Sequence, residues 1–392
     1  MLIQLYYSAF NFILMSSFSR LFVVILFLVL GCEIYAQSDS TKQTIVVLVD
    51  ENDTLQQGKN LTIIPMVFYT PETEFGFGMG GQGTFHTKGS DKSTRPSSVF
   101  FSGIYTTRKQ LMLMVEPKLY FKNERFLLEG KYEFKIFPDK FWGIGNETKE
   151  SDEENFNMQS NLLEVIFTRR LKPYVNFGFE YFMNDYSMLE VVEGGALDEL
   201  GTQGEDAFLS GLGLALNFDS RDNVESPNHG TFTALRSGVT SKVLGSTHGY
   251  RYSSIDLRKY FPLGKEKKII LASQAYLYTT DGEVPFQKMS RYGGSIYARG
   301  YYKGRYTDNN MFVFQAESRF RIKDRWTLAA FILGGDVFGE ASKVSFDNLK
   351  TSIGGGVRYQ IRKGDATCLR IDIAKGMAVD GVGVYFGVNE AF

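Results

Sequence analysis

The sequence predicts an all-β fold: a transmembrane antiparallel β-barrel of 16 strands. Three observations carry this expectation. From Leu61 onward apolar and polar residues alternate with period two, and the polar face is heavily charged. Short connections alternate with long ones, the arrangement of barrels with tight periplasmic turns and extended outer loops. Aromatic residues and glycine abound, with 34 Phe, 22 Tyr and 40 Gly against 9 Pro in 392 residues. Mean hydropathy is nevertheless slightly negative, unlike that of a bundle of apolar helices.

Taken in order, the chain begins with its one long apolar run, SRLFVVILFLVLGCEIYAQ. Arg20, the apolar stretch 21–30 and the small Ala36 have the layout of a signal peptide over 1–36, too short in its core to span a bilayer. Residues 1–14 lack a positive charge, so Met15 is an alternative start, and VLGC makes Cys32 an alternative lipidation site. Both readings export the chain. Residues 37–60 are mostly polar and too few for an ordinary domain, so they read as a short periplasmic tail before a barrel over 61–392.

Within the barrel, strands are expected near 61–70, 74–87, 96–107, 110–122, 125–136, 157–171, 173–186 and 206–219. Eight more fall near 230–241, 249–261, 267–279, 309–322, 325–337, 349–362, 366–376 and 382–391. RFLLEGKYEFKIF sets Leu128, Tyr132 and Phe134 on one face and Glu129, Lys131, Glu133 and Lys135 on the other. NMFVFQAESRFRI opposes Phe312, Phe314 and Phe320 to Gln315, Glu317, Arg319 and Arg321. ATCLRIDIAKG opposes Leu369, Ile371 and Ile373 to Arg370 and Asp372. Lipid on one face and water or a plug on the other explains both. KNER, RRLKP, PLGKEKK, IKDR and RKGD are the short turns, while 137–156, 187–205 and 280–308 are long loops on the opposite side. The connection near 88–95 is longer than this scheme asks. The last strand places Phe386 and the final Phe392 on one parity, the form of an outer-membrane assembly signal, with Glu390 on that same lipid-facing parity.

Several function classes are excluded. With 43 Lys and Arg against 44 Asp and Glu, the chain has no bulk charge to hold nucleic acid. Two distant cysteines, Cys32 and Cys368, imply neither a disulfide framework nor a metal cluster. GFGMGG satisfies a dinucleotide-binding spacing but lies inside a strand with no helix after it. His86, His229 and His248 have no metal-ligand spacing, and no G-x-S-x-G elbow occurs. No catalytic residue, cofactor or metal is expected, and the chain reads as a non-enzyme.

Two loop segments are more specific. LNFDSRDNVESPNHGTF contains Asp219, Arg221, Asp222, Asn223, Pro227 and Gly230, and ARGYYKG contains Arg299, Gly300 and Tyr301. The first resembles the D-x-R-D-N…P-x-x-G turn, and the second the inward-folding loop motif, of the Omp85 superfamily of surface-antigen D15 and BamA/TamA-like barrels. PMVFYTPETEFGFG and LRIDIA are similar to other segments of that family. The resemblance implies that Arg299 enters the lumen and pairs with acidic groups on the inner wall, Glu317 matching one of them. A guanidinium in a confined lumen needs such a carboxylate to offset its desolvation. The family's second acidic position reads Leu333 in FILGGDVF, with Asp336 nearby on the other parity, so a second partner is unassigned. Members that insert or translocate proteins carry POTRA domains before the barrel, for which 37–60 has no room.

The functions that follow are assembly, insertion or export of proteins or lipids at the bacterial outer membrane, through a seam between first and last strands. Pro65 on the first strand suits an edge, and equally an ordinary bend. The alternatives are a plugged barrel with a binding or structural role, as a surface antigen or a subunit of a complex, and a passive pore. Loop 280–308 is long enough to fill much of the lumen, which counts against a wide pore. Expected partners are outer-membrane lipid, the cell's own barrel-assembly machinery and a separate periplasmic or outer-membrane chain.

Overall fold

The computed structural model describes residues 60–87, 94–264, 268–323, 325–340, 344, 346–360 and 368–392. The expected signal peptide and tail, and most of the 88–95 connection, lie outside these residues.

Eight strands make the first half of the wall: β1 (Asn60–Thr70), β2 (Glu74–Phe85), β3 (Ser97–Thr106), β4 (Leu111–Phe121), β5 (Phe126–Phe141), β6 (Glu154–Lys172), β7 (Val175–Glu190) and β8 (Ala207–Asp219). β9 (Gly230–Thr240), β10 (Tyr250–Leu263) and β11 (Ile269–Gly282) follow. The next two, β12 (Ser290–Tyr292) and β13 (Tyr306–Asp308), form a separate two-stranded sheet, and Gly145 adds an isolated bridge to it at Thr307. β14 (Asn310–Lys323), β15 (Trp326–Phe338), β16 (Lys350–Gln360), β17 (Cys368–Gly376) and β18 (Gly383–Val388) complete the wall. The sixteen wall strands pair antiparallel in sequence order and close where β18 meets β1.

The alternation sorts the side chains as lipid outside and polar groups inside require. Phe314, Ile332, Ile353, Ile371 and Ile373 are exposed outward, whereas Glu317, Arg319, Arg358 and Asp372 are buried. A continuous outward band of large apolar side chains would be a liability in water and is what a bilayer demands.

Strand ends differ from expectation where lipid no longer imposes the pattern. β5 runs five residues past the expected end, to Phe141, and β7 extends to Glu190. There the backbone ladder continues through Pro138, Asp139 and Lys140, where hydrophobic alternation stops marking it. β18 is shorter than expected and stops at Val388. Asn389 adopts φ 62°, and its N–H donates to the Cys368 carbonyl at 2.7 Å, turning the chain out of the strand. Phe392 then packs inside the barrel with Tyr260, Ala272 and Ala391, away from the lipid-facing strand position anticipated for it. Glu390 turns inward with it: its Oε2 lies 3.0 Å from Arg358 Nε.

The seam is the least paired junction of the wall. β1 is in register with β2 over all eleven residues, from Asn60↔Thr84 to Thr70↔Glu74, but with β18 only at Tyr69↔Phe386.

Candidate functional site

The site lies where the β11–β14 connection folds into the lumen. β12 and β13 form a small hairpin in register at Tyr292↔Tyr306, and one helical turn, Gly294–Tyr297, precedes Arg299. Tyr292, Tyr301 and Tyr306 pack with Leu333, Met311, Val313 and Val337 of the wall into one apolar cluster. Leu333 therefore replaces the expected acid with packing for the loop. Asp336 serves elsewhere, accepting from Asn146 Nδ2 at 2.7 Å.

Gly300 makes the close approach possible. It has φ 102°, and a Cβ there would stand 2.6 Å from Ser352 Oγ and 2.7 Å from Gly376 N. Its N–H donates to Tyr385 Oη at 2.8 Å, while the Arg299 carbonyl accepts from Ser352 Oγ at 2.5 Å. Tyr301 Oη donates to the Thr351 carbonyl at 2.7 Å. The loop tip is thus tied by backbone and hydroxyl groups to β16 and β18.

Arg299 is wholly buried. Nη2 is 2.9 Å from Glu317 Oε2 on β14, and Nη1 donates to Asp372 Oδ2 on β17 at 2.6 Å. Its guanidinium carbon sits 3.5 Å from the ring centroid of Phe331 on β15, so that the flat cation lies on an aromatic face. Gly354, opposite Phe331 on β16, leaves room for that ring: a Cβ would fall 2.4 Å from its tip.

The carboxylates are shared. Arg319 Nε donates to Glu317 Oε1 at 2.8 Å, and Arg358 Nη2 approaches Glu317 Oε2 at 3.3 Å. Arg358 Nη1 bonds Asp372 Oδ1, and Arg370 Nε stands 3.7 Å from Asp372 Oδ2. Glu390 Oε2 closes the set between Arg358 Nε and Arg319 Nε, the latter at 3.5 Å. Four guanidinium groups and three carboxylates thus meet in the wall, each buried cation with an acid beside it, which offsets the cost of removing charge from water.

The sequence pointed to Arg299 and Glu317 of this cluster. Asp372, Arg319 and Arg370 stood on the polar parity, but nothing linear shows that β14, β16 and β17 converge under one loop arginine. Glu390 was assigned to lipid, because its strand was assumed to continue.

The 219–230 turn is largely self-contained. Asp219 holds Arg221 through two hydrogen bonds, at 2.9 and 2.8 Å. Asp222 Oδ1 accepts the N–H groups of Asn228 and His229 at 2.9 and 3.1 Å, and Asn223 Oδ1 those of Glu225 and Ser226 at 2.7 and 3.0 Å. These backbone bonds hold the Asp222 carboxyl below its ordinary range against the opposing effect of burial. Gly230 takes φ 111°. The Pro227 carbonyl accepts from Arg319 Nη1 at 3.4 Å, joining this turn to the cluster.

On the β4–β7 side the lumen is wet. Glu116, Lys118, Lys131 and Glu164 point inward by parity, yet their side chains are between 39% and 41% exposed, which in a membrane-spanning wall requires water inside.

The Omp85 superfamily domain matches residues 76–392, four-fifths of the chain and every wall strand after the first. The chain belongs to the Omp85 superfamily. Among solved structures it is similar to BamA from Haemophilus ducreyi lacking POTRA domains 1–3, with TM-score 0.60 and 14% identity over 85% of this chain and 70% of that one. It is also similar to CdiB from Acinetobacter baumannii, with TM-score 0.56 and 12% identity over 86% of this chain. CdiB from Escherichia coli gives TM-score 0.58 and 12% identity over 83%. The Omp85 chain spans 60% and 62% of these two CdiB chains respectively. At these identities the likeness is one of fold. A comparison with curated proteins finds no match.

Proposed function

We propose that this Omp85-family barrel resides in the bacterial outer membrane and takes part there in the assembly, insertion or export of proteins or lipids, through the junction of β1 and β18. The observation that carries this reading is the seam: eleven paired residues on one side of β1 and the single pair Tyr69↔Phe386 on the other. An edge strand with free N–H and C=O groups is a ready template for another strand. Family membership supports the same role, and a separate periplasmic or outer-membrane chain would present the cargo.

Two experiments test it. Depletion followed by quantitative outer-membrane proteomics should lower several barrel or surface proteins together; an unchanged proteome removes the assembly role. Tyr69→Cys with Phe386→Cys should cross-link the seam and reproduce the depletion phenotype under oxidising conditions alone. Full activity of the cross-linked protein would leave the seam without a function.

The buried ion-pair lock favours a second reading, in which the plugged barrel is a binding or structural subunit. Partners that co-purify while the proteome stays unchanged would support it.

A further inference from the structure

We propose that segment 389–392 is a latch on the same charge cluster that holds the loop, so that loop docking and the inward fold of this segment stabilise each other. The inference rests on the seam reading in one respect, that the inward fold takes segment 389–392 away from β1.

Continuing β18 in the register of Tyr69↔Phe386 would set Asn389 opposite Met66 and Glu390 opposite Pro65, a residue with no N–H. On that strand Glu390 would share the outward parity of Val384 and Val388, which face lipid. The segment instead leaves the wall at Asn389, and Glu390 pairs with Arg358 and Arg319. Phe392 covers Arg319, whose Nη2 donates to a backbone oxygen of Phe392 at 3.2 Å. The segment therefore has two places: inside, paired with the cluster and away from β1; or along β1 opposite 63–66, with the Glu390 carboxylate on the outward face.

Arg358 joins the two ends of the network. Its three nitrogens serve three acids: Nη1 goes to Asp372, Nη2 to Glu317 and Nε to Glu390. Arg299 supplies the remaining charge to Asp372 and Glu317. If the loop withdraws, both carboxylates lose a donor and draw Arg358 and Arg319 toward themselves, away from Glu390. If Glu390 leaves, four guanidiniums face two carboxylates, and Arg299 is held less well. Each event weakens the other, and the coupling is reciprocal.

The test uses the folded full chain in a Cys368→Ala background, with Ala391→Cys as a reporter of the latch and Ala298→Cys as a reporter of the loop. Both positions are buried, so maleimide labelling should be slow. Arg299→Gln should speed labelling at 391 at least fivefold, and Glu390→Gln should speed labelling at 298. Combining the two should add nothing beyond the faster single change. Loosening of 298 by Arg299→Gln with 391 at its parental rate would overturn the coupling. If Arg299→Gln does not fold, as judged by heat-modifiable gel migration, Glu390→Gln carries the test alone, and an unchanged rate at 298 would overturn it. These rates are indifferent to cargo, so an unchanged proteome on depletion would sink the assembly role and leave the latch standing.

Discussion

Arg299 shows how one side chain organises the lumen. It is stripped of water and held by Glu317, Asp372 and the face of Phe331. Removing one partner of a buried charge cluster is costly, because the others stay buried and under-compensated. Arg299→Ala should destabilise the barrel by about 3 kcal/mol, at the lower end for such a loss because Arg319 and Arg358 remain, read as a shift in the denaturant midpoint. Arg299→Lys should recover little, since an ammonium cannot span two carboxylates and lie flat on a ring. Gly300→Ala should cost about 1–3 kcal/mol through its positive φ and the crowding by Ser352. At the short-turn end, Glu124 sits between Arg95 and Arg170, which donate to it at 2.9 and 2.5 Å. Burial pushes its carboxyl up, but these hydrogen bonds prevail and hold it down at about 2. A depressed folded value contributes stability that is complete above the unfolded value of about 4.3 and is lost as pH falls through the folded one. The turn should therefore stay protected from hydrogen exchange at pH 4 and loosen near pH 2. Glu124→Gln should abolish that difference.

Among elements, β1 stands apart. Its ladder with β2 is complete, while its other edge has one registered partner. Amides of β1 directed toward β18 should exchange far faster than those of β6, which is paired on both sides along nearly its whole length. Equal protection would mean that the seam is closed in solution. The strands themselves were legible in the sequence because lipid enforces one apolar face, as Phe312, Phe314 and Phe320 show. What escaped was whatever lipid does not enforce. The β5 and β7 extensions run on where the apolar alternation has stopped, and β18 ends where the chain turns Glu390 inward to Arg358. Arg299 and Glu317 were legible from the loop motif and strand parity. Asp372 and Arg358 were not, because their meeting depends on which strands the loop crosses.

The whole barrel divides its interior. The loop and its aromatic cluster pack against β14–β18, while charged side chains on the β4–β7 wall stay wet. Such a lumen should pass small ions weakly. Excising 289–308 should raise planar-bilayer conductance several-fold, and an unchanged conductance would place the barrier elsewhere.

The cluster also has an order in time. Arg299 bonds a residue 73 positions later in the chain, and Arg319 bonds the backbone of Phe392 across an equal span. Closing such long loops is slow, and no local contact can substitute for it. A nascent barrel holds an incomplete set of charges until the final wall strands and segment 389–392 have arrived. Completion of the chain thus completes the charge balance: without Glu390 the cluster would hold four guanidiniums against the carboxylates of Glu317 and Asp372.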